Sequence, residues 1–279
     1  MNDNNPQLKA SAVEFLNTKP LIYGLESNRL PHRFDLTYDP PHVCAQKLER
    51  GEVDLGLIPS IEYSRIKDRK RLCIVPDVGV VSNGDVTSVL LAFNKSIEKI
   101  SRVAVDSNSR TSVALLKIIL REKYNTEAEF VSLKADLNQM LRAADAALVI
   151  GDYALEVAPQ VEGKLDLGDE WSDMTDGLPF VYSFWAGTPE GCQFSDLSLL
   201  AESRNMGLAA VSEIADEYSK THLHDASFYK KYLQENISYR LGESELEGLI
   251  EFYNYCFYYG IIGGMPEITF YGDPIIKGQ

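Results

Sequence analysis

This chain of 279 residues is predicted to fold as an α/β protein of two lobes, one inserted into the other. Three observations carry that prediction. Strand-like and helix-like segments alternate through the first two-thirds, the pattern of largely parallel strands joined by crossover helices. The alternation restarts near residue 97 and returns near 186. Beyond Thr188 the chain turns helical and stays so. The restart and return divide the protein into a discontinuous first domain, 1–94 with 190–279, and an inserted second domain, 95–189. Two crossover strands would join them. A hinge of that kind leaves a cleft between the domains, a preferred place for a ligand.

The elements follow in order. Residues 8–16 read as a first strand and 17–28 as a loop with a short helix. "FDLTYDPP" is a second strand with its exit turn. In the next stretch a helix stops at Gly51 after a basic last turn, a strand covers 53–57, and a helix starts at Ser60. "LCIVPDVGVVS" and "VTSVLLAFN" are β-rich segments on either side of Asn83-Gly84-Asp85, a strong turn signal. "SRVAVDSNSRTSVALLKIILREKY" is a strand, a polar loop and an amphipathic helix. "AEFVSL" is a strand, and 136–155 is a helix leading into a further strand. An aromatic strand in "LPFVYSFWAG" closes the α/β part. Helices are expected over 194–219, 226–236 and 242–261. The aromatic run "EFYNYCFYYG" reads as a packed helix face.

Composition narrows the function. A net charge of −14 and a pI near 4.8 exclude a nucleic-acid-binding surface. The same charge repels small anions at long range, so an anion site here has to be built locally from N–H groups, hydroxyls or a single Arg. No apolar run is long enough to span a membrane, and "MNDNNPQLK" lacks a secretory h-region. A cytoplasmic protein is expected, with Cys44, Cys73, Cys192 and Cys256 as buried thiols. His222 and His224 fall in a polar connector that reads as a solvated loop. Oligomeric state has no marker in the sequence.

Chemistry would sit at polar strand tips. In "SAVEFLNTKP" the first strand ends in Asn17 and Thr18 before Pro20, either a turn that caps the next helix or a tip aimed at a ligand. Ser82, Asn83 and Gly84 form a second tip. The richest is "DSNSRTSVALLK", where Ser107, Ser109, Arg110, Thr111 and Ser112 precede a clean apolar helix. A helix start exposes unpaired N–H groups and the positive dipole end, and hydroxyls add donors. Capping needs one hydroxyl; four with an Arg favour a carboxylate or phosphate site. Ser60 in "LIPSIEY", Asp152 after "AALVI", and Pro179 with Phe180 mark further tips. Asp152 reads as an acid or base or, on spacing, as a helix cap. P-loop, GxGxxG, GxSxG and HExxH motifs are all missing from the sequence, so no cofactor or metal is expected.

"LNTKPLIYGL", "GEVDLGLIPSIEY", "DSNSRTSVALLK", "IGDYAL" and "TDGLPFVYSFWAG", in this order and spacing, closely resemble the chorismate dehydratases, which open the futalosine route to menaquinone. The resemblance spans nearly the whole chain. It implies the two-lobed fold of type II periplasmic binding proteins, with central mixed sheets and a helical C-terminal segment. It also implies a reaction: chorismate loses the C3 proton and the C4 hydroxyl, and its ring becomes aromatic. The product is 3-[(1-carboxyvinyl)oxy]benzoate. The substrate is a small dianion, suited to donor-rich tips at 107–112 and 82–84. Asn17 matches the Asn of the family's "LNT" motif and is the expected catalytic residue. With no His at a strand tip, the substrate's enolpyruvyl carboxylate is expected to take the C3 proton. A sister enzyme that cleaves a cyclic futalosine shares the fold but opens with a Ser-Pro-Cys-Pro-Asn-Asp type of motif, where "FLNTKP" stands here. A binding protein without catalysis is the other alternative, since fold does not specify function.

Overall fold

The computed structural model describes residues 6–27, 29–66, 72–106, 109–158, 161 and 163–273. The described residues form ten strands in two five-stranded mixed sheets. The first has the order β2-β1-β3-β10-β4, from β1 (Leu8–Val13), β2 (Phe34–Asp39), β3 (Leu55–Pro59), β4 (Cys73–Ser82) and β10 (Phe180–Gly187). The second has the order β7-β6-β8-β5-β9, from β5 (Val89–Phe93), β6 (Arg102–Asp106), β7 (Glu129–Leu133), β8 (Ala146–Ile150) and β9 (Lys164–Asp166). In each sheet four strands run in one direction and a fifth, arriving from the other lobe, runs against them. β10 runs antiparallel to β3 and β4, and β5 runs antiparallel to β8 and β9. β3 and β8 are buried along almost their whole length, which explains their unbroken apolar sequences.

Helices α1 (Lys19–Glu26), α2 (Pro41–Glu49) and α3 (Ser60–Arg65) belong to the first lobe. The second carries α4 (Thr111–Glu122), α5 (Leu137–Ala143), α6 (Gly151–Val157) and α7 (Leu167–Met174). The C-terminal segment adds α8 (Phe194–Ala209), α9 (Val211–Ser219), α10 (Ala226–Lys231), a π-helical turn Tyr232–Asn236 and α11 (Glu243–Tyr258). The helix expected over 194–219 is therefore two, broken at Ala210. Gly207 lets α8 lie directly on α1, because a Cβ there would stand 2.0 Å from the Pro20 carbonyl oxygen. None of the described helices is long and apolar enough to cross a membrane.

The division at residues 94 and 189 is displaced. β5 pairs Leu91 with Leu148 in the second sheet, and β10 pairs Phe184 with Ile58 in the first. Asn83-Gly84-Asp85 is therefore not a hairpin turn: the chain leaves one sheet at Ser82 and enters the other at Val89. Asp166 secures this passage, its carboxylate accepting from the N–H groups of Val86 (3.0 Å), Thr87 (2.6 Å) and Gly168 (2.9 Å). A local turn signal could not reveal that the two flanking strands find better partners elsewhere.

Two smaller expectations meet different outcomes. All four cysteines are free, three of them buried. The two histidines of the polar connector pack rather than stand in solvent. His222 stacks on Tyr218, and His224 Nε2 lies 3.0 Å from the Leu155 carbonyl oxygen.

Candidate active site

A cleft opens where the parallel strands of both sheets end at their carboxyl termini, the usual ligand position in open α/β sheets. Its empty volume is about 630 Å3, open solvent at the mouth included, within the range of small-molecule sites. Polar groups converge on it from three directions.

The first is the tip of β1. The chain leaves Val13, makes a 3-10 turn over Leu16–Thr18 and passes into α1, whose first turn holds Pro20. Proline fixes φ at a position where a missing N–H costs nothing, so this corner is rigid. Asn17 and Thr18 line the cleft. The Asn17 amide donates to the Tyr232 hydroxyl (3.2 Å), which in turn donates to Ser88 Oγ (2.9 Å). Burial pushes the Tyr232 phenol far above its usual range, so it stays protonated.

The second is the start of α4. Ser109, Arg110, Thr111 and Ser112 all line the cleft. Ser109 Oγ is buried without a hydrogen-bond partner, and the first-turn N–H groups have none within a helix. Thr111 Oγ1 accepts from the Ile61 N–H at 3.4 Å, which leaves its own hydrogen free to donate. Arg110 Nη1 lies 3.3 Å from Glu62 Oε2, and Arg65 Nη1 lies 3.0 Å from Glu62 Oε1. The buried Glu62 carboxylate thus steadies a guanidinium at the cleft. Buried hydroxyls, a helix start and one cation make an anion receptor on an acidic protein. Ser107 lies outside the described residues.

The third direction is the crossover pair. Ser88 precedes β5, and Tyr182 with Ser183 come from β10; all three line the cleft. Adjacent strand residues normally face opposite sides of a sheet. A register shift between Val181 and Ser183 breaks that alternation and lets neighbouring side chains reach the same space. Val13, Phe15, Val86 and Ile150 supply apolar walls.

Seven sequence candidates do not line the cleft. Ser60 is fully buried at the start of α3, behind Pro59. Ser82 is buried against Tyr182, 3.2 Å between oxygens, and reaches the cleft only through that residue. The Gly84 carbonyl packs on Gly168, where an added Cβ would stand 2.4 Å away, and Asn83 borders a separate surface groove with residues 233–240. Pro179 accepts the Trp171 indole N–H at 3.2 Å, and Phe180 is core among Trp171, Tyr182 and Phe252. Asp152 is neither a cleft base nor the cap of its own helix. Its carboxylate crosses between lobes to accept from the Leu16 N–H at 3.0 and 3.2 Å. Burial raises its pKa.

Sequence reasoning missed Ser88, Tyr182, Ser183 and Tyr232. Ser88 falls in a segment read only as β-rich, Tyr182 and Ser183 in one read only as an aromatic strand, and Tyr232 in one read as a continuous helix.

The Menaquinone biosynthesis family profile matches residues 8–258. A chorismate dehydratase of Thermus thermophilus is 30% identical over 237 residues, covering 78% of this chain and 85% of that protein. A chorismate dehydratase of Campylobacter jejuni is 26% identical over 249 residues, covering 88% and 95%. Among solved structures, a protein of Archaeoglobus fulgidus superposes with a TM-score of 0.71 at 19% identity, covering 92% of this chain and 98% of the other. The periplasmic aliphatic sulphonate binding protein of Escherichia coli superposes with a TM-score of 0.67 at 15% identity, covering 98% and 100%. At those identities the structures establish a shared periplasmic-binding-protein fold.

Proposed function

The chain belongs to the menaquinone-biosynthesis family, and we propose that its cleft dehydrates chorismate to 3-[(1-carboxyvinyl)oxy]benzoate. The observation that carries this reading is the pairing of an anion receptor at the start of α4 with the Asn17 tip across one small cleft. Its chorismate dehydratase relatives support the choice of substrate. We place the reaction in the cytoplasm, as suits a biosynthetic step on a water-soluble dianion.

In this reading one substrate carboxylate sits against Ser109, Arg110, Thr111 and Ser112. The C3–H bond breaks, its electrons form the C3–C4 double bond, and the C4 hydroxyl leaves. Proton and hydroxyl together make the water released. Among the described residues lining the cleft, none is a carboxylate or an imidazole. Asp152 is engaged by the Leu16 N–H. The enolpyruvyl carboxylate of the substrate therefore takes the C3 proton. Aromatisation drives the step, so the protein's work is orientation and solvation of the departing hydroxyl. Asn17 holds the reacting groups from one side, and Ser88 stands beside it.

Incubating the purified protein with chorismate and following the aromatic product by ultraviolet absorbance and chromatography tests the proposal. Stoichiometric binding without product would make this a binding protein. Inertness toward chorismate, with turnover of a futalosine derivative, would make it the sister enzyme.

A further inference from the structure

Building on the dehydration just proposed, we propose that Tyr232 is a positioning residue for it. Its hydroxyl fixes which hydrogen-bonding groups Asn17 and Ser88 offer the substrate. Tyr232 does not line the cleft; it stands behind it, buried, at the start of the π-helical turn Tyr232–Asn236. Single π turns of this kind occur often at functional sites.

The direction of the bonds carries the inference. A phenol has one hydrogen, and here it goes to Ser88 Oγ at 2.9 Å. Its oxygen must then accept from Asn17, which turns the amide nitrogen of that residue toward it at 3.2 Å. The Asn17 carbonyl oxygen is thereby kept from the phenol. Ser88, having accepted, keeps its own hydrogen for the cleft it lines. Three donors then run in one sense, Asn17 N–H to Tyr232 O–H to Ser88 O–H, and each bond polarises the next. The chain ends in a strengthened donor beside Asn17, where the C4 hydroxyl needs one as it departs. Without the phenol, the Asn17 amide could reverse and Ser88 could point its hydrogen inward. The pocket would keep its shape and lose its polarity. The Asp152 and Asp166 carboxylates and the Tyr182 and Tyr239 phenols lie around Tyr232, whose hydroxyl bonds instead to Asn17 and Ser88.

Steady-state kinetics of Tyr232→Phe, Ser88→Ala and the double variant test the role. Tyr232→Phe should lower kcat about 10-fold or more while KM moves less than about threefold, the split expected when a transition-state interaction is lost. The double variant should lose little beyond Ser88→Ala, because both changes break one chain. Full turnover in Tyr232→Phe, or losses that multiply in the double variant, would overturn the proposal. If Tyr232→Phe fails to fold, 3-fluorotyrosine placed at 232 keeps size and hydroxyl with a more acidic phenol. At neutral pH that stronger donor should change kcat while KM moves little, and an unchanged kcat sinks the role. Wild-type protein that makes no aromatic product refutes the dehydratase reading and this role with it. Active wild type with an indifferent Tyr232→Phe refutes the role alone.

Discussion

Replacing Arg110 by Gln removes the one cation among the described cleft-lining residues and keeps a side chain of similar length. A hydrogen bond between charged groups contributes about 1.5–3 kcal/mol. Arg110 should give the low end of that range, since its side chain is 37% exposed and shares its charge with Glu62 at 3.3 Å. A loss of about 1.5 kcal/mol corresponds to a roughly 10-fold rise in KM for chorismate. Stability should change by less than about 1 kcal/mol, because half-exposed ion pairs contribute little and Glu62 keeps Arg65 at 3.0 Å. Glu62→Gln moves KM the other way. A substrate carboxylate on the far side of Arg110 would lie ~6.5 Å from Glu62, where Coulomb repulsion at an effective dielectric of about 40–80 is about 0.6–1.3 kcal/mol. Removing it should lower KM about 3- to 9-fold at low ionic strength, with the gain shrinking as salt is added. Initial-rate kinetics at two salt concentrations, with thermal melts as control, read both variants. An unchanged KM in a well-folded Arg110→Gln protein, or a salt-independent response in Glu62→Gln, would refute the anion receptor.

Thr111→Val removes a donor to the substrate and also the acceptor of the buried Ile61 N–H, so chorismate KM should rise by the equivalent of about 1–3 kcal/mol with a small fall in melting temperature. Asn17→Ala should lower kcat on the order of 100-fold with a smaller effect on KM, and Asn17→Asp should raise KM as well by placing a negative charge beside a dianion. For Asp152 the sign follows from burial. Its folded pKa is raised, so its contribution to stability is complete below the unfolded value of 3.8 and is lost as pH rises through the folded value. Asp152→Asn keeps an acceptor for the Leu16 N–H without that loss; melts from pH 4 to 7 should show the variant gaining on wild type as pH rises. Gly207→Ala should cost about 3 kcal/mol in denaturant unfolding, since its Cβ would meet the Pro20 carbonyl at 2.0 Å and force α1 from α8.

Alternating periodicity, helix stops and the hydroxyl-rich start of α4 are local properties of the chain, and each was legible in the residues alone. So was the prolyl corner at Asn17, because proline and its neighbours restrict their own backbone. Tertiary structure decided whatever depended on partners distant in sequence. Asn83-Gly84 reads as a turn at a strand tip, yet its flanking strands pair in different sheets and Gly168 covers its carbonyl. Asp152 reads as a cap, but the free N–H it satisfies belongs to Leu16 in the other lobe. Pro179 and Phe180 were drawn into the aromatic core by Trp171 and Phe252. Ser183 reaches the cleft beside Tyr182 only where a register shift interrupts the strand's alternation. Tyr232 meets Asn17 across 215 positions of sequence. Short-range sterics can be read along the chain. Which buried donor meets which acceptor is settled only when the two sheets and the C-terminal helices close around the same cleft.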